Sequence, residues 1–150
     1  MLACSLGVCA ALSLPWSCSR TPVPWQRDAL QAEVILRGRD VDVRGRLTFV
    51  RPRSPDLGTL QLDVERDGHL DNATLLATGK TTAFTDGVPR PIRAAEERAL
   101  AVLAALLAWP GTSGERRASG ADSVVRLADG SEYTLTLGRE VAPGAHHDRR

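Results

Sequence analysis

The chain has 150 residues, and its 19 basic and 18 acidic side chains leave a formal net charge of +1. That balance excludes binding driven by a large field of one sign, whether to nucleic acid or to a charged membrane face. Aromatic residues are 4 % of the chain, so few rings are offered for stacking on bases or sugars, and the core must be built from Leu, Val and Ala.

The first eighteen residues hold all three cysteines (Cys4, Cys9 and Cys18) and no charged side chain. Residues 2–14 form an apolar run with small residues mixed in. Its length suits a signal-peptide core and falls short of the ~20 residues that span a bilayer. A small residue, Ser17, stands just before Cys18 at the end of that run, which resembles a bacterial lipobox. The resemblance implies cleavage after residue 17 and a diacylglycerol on the Cys18 thiol. Plain secretion and a buried N-terminal segment are the alternatives. Cys4 and Cys9 belong to no Cys-x-x-Cys or Cys/His ligand pattern and are read as small apolar filling. Removal of residues 1–17 leaves one cysteine, capped by lipid, so the domain must hold together by core burial alone, which is feasible at this size. Residues 18–30, with Pro22 and Pro24 and no periodicity, are read as a tether from the membrane to the domain.

From Ala32 the apolar pattern takes a period of two. Ala32 to Arg37 is a strand, and Gly38 turns it into a second, Asp40 to Val50. There Val41, Val43, Gly45, Leu47 and Phe49 alternate with Asp40, Asp42, Arg44, Arg46 and Thr48, the mark of a half-buried antiparallel strand. Gly45 permits a bend or bulge. Pro52 and Pro55 end the strand in a loop. Leu60, Leu62 and Val64 alternate next, Asp67-Gly68 is a favoured hairpin dipeptide, and Leu70 to Ala77 returns. Gly79-Lys80 turns the chain into Thr81 to Thr85, which Asp86-Gly87 closes. Val125 to Leu127, Asp129-Gly130 and Tyr133 to Leu137 form the last hairpin.

One helix interrupts the strands. Arg93 to Trp109 has neither Gly nor Pro and is rich in Ala and Leu. Glu96 and Glu97 suit the positive end of its dipole, and Pro110-Gly111 stops it. Every residue from Ala99 to Trp109 is apolar, so the helix must be covered on more than one side. Gly111 to Ala121 is read as a polar, mobile loop and residues 139–150 as a flexible tail. The fold class is therefore α+β: a curved antiparallel sheet of about seven strands, an incomplete barrel over residues 31–138, enclosing one apolar helix.

Gly45-Arg46-Leu47-Thr48-Phe49-Val50-Arg51-Pro52 resembles the strand ending in an Arg-Pro pair of periplasmic lipoprotein carriers of the LolA/LolB type. Leu75-Leu76-Ala77-Thr78-Gly79-Lys80-Thr81-Thr82-Ala83-Phe84-Thr85-Asp86 is similar to that family's segment with a Gly-Lys turn before an aromatic-rich strand. The likeness covers about residues 33–92. It implies a half-barrel plugged by helices and a cavity for lipids or acylated protein ends. On this sequence the cavity lining falls to Val41, Val43, Leu47, Phe49, Leu60, Leu62 and Leu75, with Leu103, Leu106 and Leu107 as a lid. Arg46 and Arg51 are candidates for lipid headgroups at the rim, against the ordinary reading of solvated strand arginines.

Catalytic patterns are weighed and set aside. Thr78-Gly79-Lys80-Thr81 has Thr at position 74, where a phosphate-binding loop needs Gly, and lies between strands. His69 near Asp67 and Asp71, and His146-His147-Asp148 in the tail, lack metal-ligand spacing or rigid support. Glu96 and Glu97 are adjacent on a helix and point apart. Gly-x-Ser-x-Gly does not occur. The expectation is a non-enzymatic, monomeric protein of the cell envelope without metal or cofactor. It is membrane-anchored through Cys18 and faces the periplasm, or is secreted if Cys18 stays unmodified. It binds lipid or lipoprotein between sheet and helix; the alternative is a scaffold or protein-interaction module with no such cavity.

Overall fold

The computed structural model describes residues 28–54, 57–119 and 122–140. The expected leader, Cys18, most of the tether and the tail beyond Glu140 lie outside the described residues. In chain order the elements are β1 (Ala29–Gly38), β2 (Asp42–Ser54), β3 (Leu57–Arg66), β4 (His69–Leu76), β5 (Thr81–Thr85), β6 (Val88–Arg90), α1 (Ala94–Leu106), β7 (Gly114–Ser119), β8 (Asp122–Leu127) and β9 (Glu132–Glu140).

All nine strands belong to one antiparallel sheet in the order β6-β5-β4-β3-β2-β1-β9-β8-β7. The sheet is curved and does not close. Strands β1 to β6 run as a meander. Helix α1 then carries the chain from one edge of the sheet to the other, and β7, β8 and β9 meander back until β9 pairs with β1. On its way α1 packs against β3 and β4 and against β7 and β8.

Period-two alternation decides which face carries the core. Val43, Leu47 and Phe49 of β2 are buried, while Asp42, Arg44 and Arg46 are exposed. Register carries the inner face from strand to strand: Ala32, Leu47, Leu62, Ala73, Ala83 and Arg90 form one row across β1 to β6. The apolar side of α1 closes over the inner face in a single core cluster. Burying a Leu side chain there is worth about 2 kcal/mol relative to exposure.

Asp67-Gly68 and Asp129-Gly130 turn the hairpins expected of them, β3 to β4 and β8 to β9, while Asp86-Gly87, expected only to close a strand, turns β5 into β6. Asp67-Gly68 (φ 53° and 80°) and Asp86-Gly87 (φ 49° and 80°) both hold positive φ at their two central residues, as tight type I′ turns require. Gly45 marks no bulge, since its register with β1 runs on unbroken. A Cβ at this position would stand 2.3 Å from the Asp63 carbonyl oxygen, so glycine is there for close strand approach. The breaks in register fall elsewhere, between Ala32 and Val34 on β1 and between Val50 and Ser54 on β2.

Among the described residues the strand count is nine and not about seven. Neither added strand alternates, because both lie at edges. β6 has three residues with Pro89 in the middle, and β7, Gly-Glu-Arg-Arg-Ala-Ser, is exposed along its whole length. The segment read as a mobile loop over 111–121 thus contains a paired strand. β2 runs through Pro52 to Ser54, since the break in its pairing with β3 asks no hydrogen bond of the proline. β1 begins at Ala29, inside the expected tether, and β9 reaches Glu140, inside the expected tail.

Helix α1 ends at Leu106, short of the expected Trp109. Ala108 adopts a left-handed φ of 52°. Its N–H donates to Ala105 O at 3.3 Å, and the Trp109 N–H donates to Ala104 O at 2.8 Å. This pair of bonds is a Schellman ending with alanine where glycine is favoured. Ala108→Gly is expected to stabilise the domain by about 0.5 kcal/mol, read as a higher urea midpoint. A lower midpoint contradicts the assignment.

Candidate functional site

The ten residues expected to line a cavity meet on one side of the sheet. Nine of them are buried: Val41, Val43, Leu47, Phe49, Leu60, Leu62, Leu103, Leu106 and Leu107 are 0–6 % exposed. Leu75 is partly buried and packs against the same cluster. The pattern that placed them together was the strand alternation plus the Leu stripe of the helix. Trp109 joins them, its ring edge-on to Phe49 with centroids 6.1 Å apart and planes at 63°.

The two arginines proposed for a rim separate. The Arg51 guanidinium lies over the Phe49 ring at 5.3 Å and its Nη1 donates to the Leu107 carbonyl oxygen at 3.2 Å. A cation at that position also suits the negative end of the helix dipole. Arg46 is exposed on the opposite face, as strand alternation dictates. There it borders a shallow hollow of about 410 Å³ with Glu33, Arg44, Asp63, Glu65 and Leu70, away from the interior.

The other end of the helix is held by a buried ionic clasp. Arg90, on the last inner position of the row across the sheet, makes a two-pronged pair with Glu96: Nη1 to Oε2 at 2.8 Å and Nη2 to Oε1 at 2.6 Å. Glu96 Oε2 also accepts the Arg93 backbone N–H at 3.0 Å, satisfying a donor at the helix start. Arg93 Nη1 donates to Asp71 Oδ2 at 2.6 Å, Arg90 Nη2 lies 3.3 Å from Asp71 Oδ1, and the Thr85 hydroxyl donates to that same oxygen. The side chains of Asp71, Glu96 and Arg90 are 5 %, 9 % and 14 % exposed. The clasp ties β4, β5, β6 and α1 together with every charge partnered.

This environment sets the ionisation of both acids. The Thr85 hydroxyl, and then Arg93 and Arg90, outweigh burial and lower the Asp71 pKa to about 2. Burial pushes Glu96 up, but its bonds from Arg90 and from the Arg93 N–H prevail and leave it below the usual carboxylate range. A carboxyl depressed in the folded state stabilises the fold above its unfolded pKa, and that stability is lost as pH falls toward the folded value. The urea midpoint is therefore expected to fall between about pH 4 and pH 2, with a shallower fall in Asp71→Asn. Parallel pH profiles for the two proteins contradict the assignment.

Sequence reasoning had Glu96 only as a dipole residue and Asp71 only as a neighbour of His69. The available signal was Asp71 at an inward strand position, in phase with Ala73 and Leu75. His69 itself sits on the surface, its Nδ1 at 2.6 Å from Asp86 Oδ2, and that bond raises its pKa. The Gly79-Lys80 segment is a tight turn between β4 and β5, with Gly79 at φ 83°.

No described helix is long and apolar enough to cross a membrane. Comparison with family models, with curated proteins and with solved structures finds no match. The likeness to LolA/LolB-type carriers therefore rests on the two sequence stretches and on the order of elements.

Proposed function

We propose that this chain is a cell-envelope lipoprotein, anchored at Cys18 and facing the periplasm, whose curved-sheet domain works as a protein-interaction module. The observation that carries this reading is the packing of the interior. Leu103, Ala104, Leu106, Leu107 and Trp109 are 0–3 % exposed, so the helix itself occupies the space a hydrophobic cargo would need. The domain then acts through its edges and polar faces, and its mechanism is association without a covalent step.

A second reading keeps the carrier implied by the family likeness. It is favoured by the way α1 is held. Its own side-chain hydrogen bonds fall on its first two turns, and Arg51 and Arg116 reach carbonyl oxygens at its end, while Leu and Ala contacts hold the middle. In this reading acyl chains displace the helix, each buried methylene contributing roughly 0.8 kcal/mol.

Native mass spectrometry of protein extracted in mild detergent separates the two. The module returns the polypeptide with its own anchor and nothing else. A copurified acyl lipid in stoichiometric amount overturns the module in favour of the carrier. The anchor is tested by palmitate labelling, expected in wild type and absent in Cys18→Ala; equal labelling removes it.

A further inference from the structure

The two edges of the sheet are built differently. β6 is three residues long and contains Pro89, a short edge blunted by a residue that cannot donate a hydrogen bond. β7 has six residues and no proline, and it pairs along its full length with β8. All six of its residues are exposed, and among the described residues nothing pairs with its outer side. Such an edge is a template for another strand.

The side chains of β7 say which strand. Arg116 pairs across to Val125, which is buried, so Arg116 is on the inner face and Glu115 and Arg117 share the outer one. Arg116 Nη1 reaches back to the Leu106 carbonyl oxygen at 3.5 Å, at the C-terminal end of α1. On the outer face, acid and base stand two residues apart. An antiparallel copy of the same strand, centred on Arg116, brings Glu115 of each chain opposite Arg117 of the other. Two cross-strand ion pairs then form on one face of a continuous sheet, an arrangement that stabilises antiparallel neighbours. The two Arg116 residues fall opposite each other on the other face, a like-charge pair that offsets part of this gain, and each guanidinium lies against the Leu106 carbonyl oxygen of its own chain.

We propose that β7 is the docking strand for a second copy of this chain, with Glu115 and Arg117 setting the register. The inference rests on the interaction-module reading and names its partner, in place of the monomer expected from sequence. Six residues span only ~20 Å, so the contact is weak in solution. A shared membrane anchor raises the effective concentration of the two edges and makes a weak contact sufficient.

Sedimentation velocity on the purified, detergent-extracted protein tests this, up to about 1 mM. Wild type is expected to shift reversibly from monomer to dimer with concentration. Arg117→Glu sets like charges opposite and is expected to weaken association about thirtyfold. Glu115→Arg together with Arg117→Glu restores the opposite-charge pairs and is expected to recover most of it. All three should share one circular dichroism spectrum and one melting temperature. A wild type that stays monomeric throughout, an Arg117→Glu variant that associates like wild type, or a double variant that recovers nothing overturns the docking strand. A monomer with the mass of the polypeptide and its own anchor leaves the module reading standing without this partner, whereas a copurified, non-covalent lipid overturns the module reading itself.

Discussion

Glu96→Ala is expected to lower the unfolding free energy by about 3 kcal/mol, read from urea titration at neutral pH. The reason is what the substitution leaves behind. Arg90 loses both prongs of its pair while its side chain stays 14 % exposed, and the Arg93 backbone N–H loses its acceptor at the helix start. Arg90 keeps Asp71 at 3.3 Å as its remaining carboxylate, so a charge that had two buried partners is left half-paired in a poorly solvated place. Replacing both partners with apolar residues of similar size, Arg90→Met with Glu96→Leu, leaves no orphan charge and is expected to recover most of the loss. Glu96→Gln keeps an acceptor for the Arg93 N–H and is expected to fall between. A loss below about 1 kcal/mol for Glu96→Ala shows that solvent reaches the clasp and that α1 is not fastened there.

Leu103→Ala is expected to be as damaging, at about 3 kcal/mol. Leu103 is fully buried at the heart of the core cluster, and truncation removes transfer energy and leaves a hole whose walls are held by the surrounding strands. Leu75→Ala, at a partly buried position, is expected to cost clearly less. The pair also bears on function. If Leu103→Ala costs under about 1 kcal/mol, the helix rests loosely on the sheet and the interior can repack around a guest, which is the condition the carrier reading needs.

What could be read from the sequence was whatever rested on near neighbours. The alternation of β2, the hairpin turn at Asp67-Gly68 and the Ala/Leu helix are each written within about a dozen residues. The nine buried lining residues followed from those patterns, because alternation assigns faces without knowing which strand lies beside which. The clasp was not legible. It exists because register carries Leu62 to Ala73, Ala83 and finally Arg90, so that an arginine 17 positions from Ala73 shares its row. β7 was hidden for another reason: with both faces wet, its side chains have no period to show. Arg51 was picked out, but for lipid headgroups, when its partners are Phe49 and the last turn of α1.

The juncture of β1 with β9 has a consequence for how the chain matures. Ile35 meets Thr136, about a hundred positions later. During synthesis from the N-terminus, β2 can cover one flank of β1 almost at once, while the other flank waits for nearly the whole polypeptide to emerge. Until then β1 presents a raw, Val- and Leu-bearing border to its surroundings. A product cut short after α1 would carry that wound permanently and is the form in which this protein should clump.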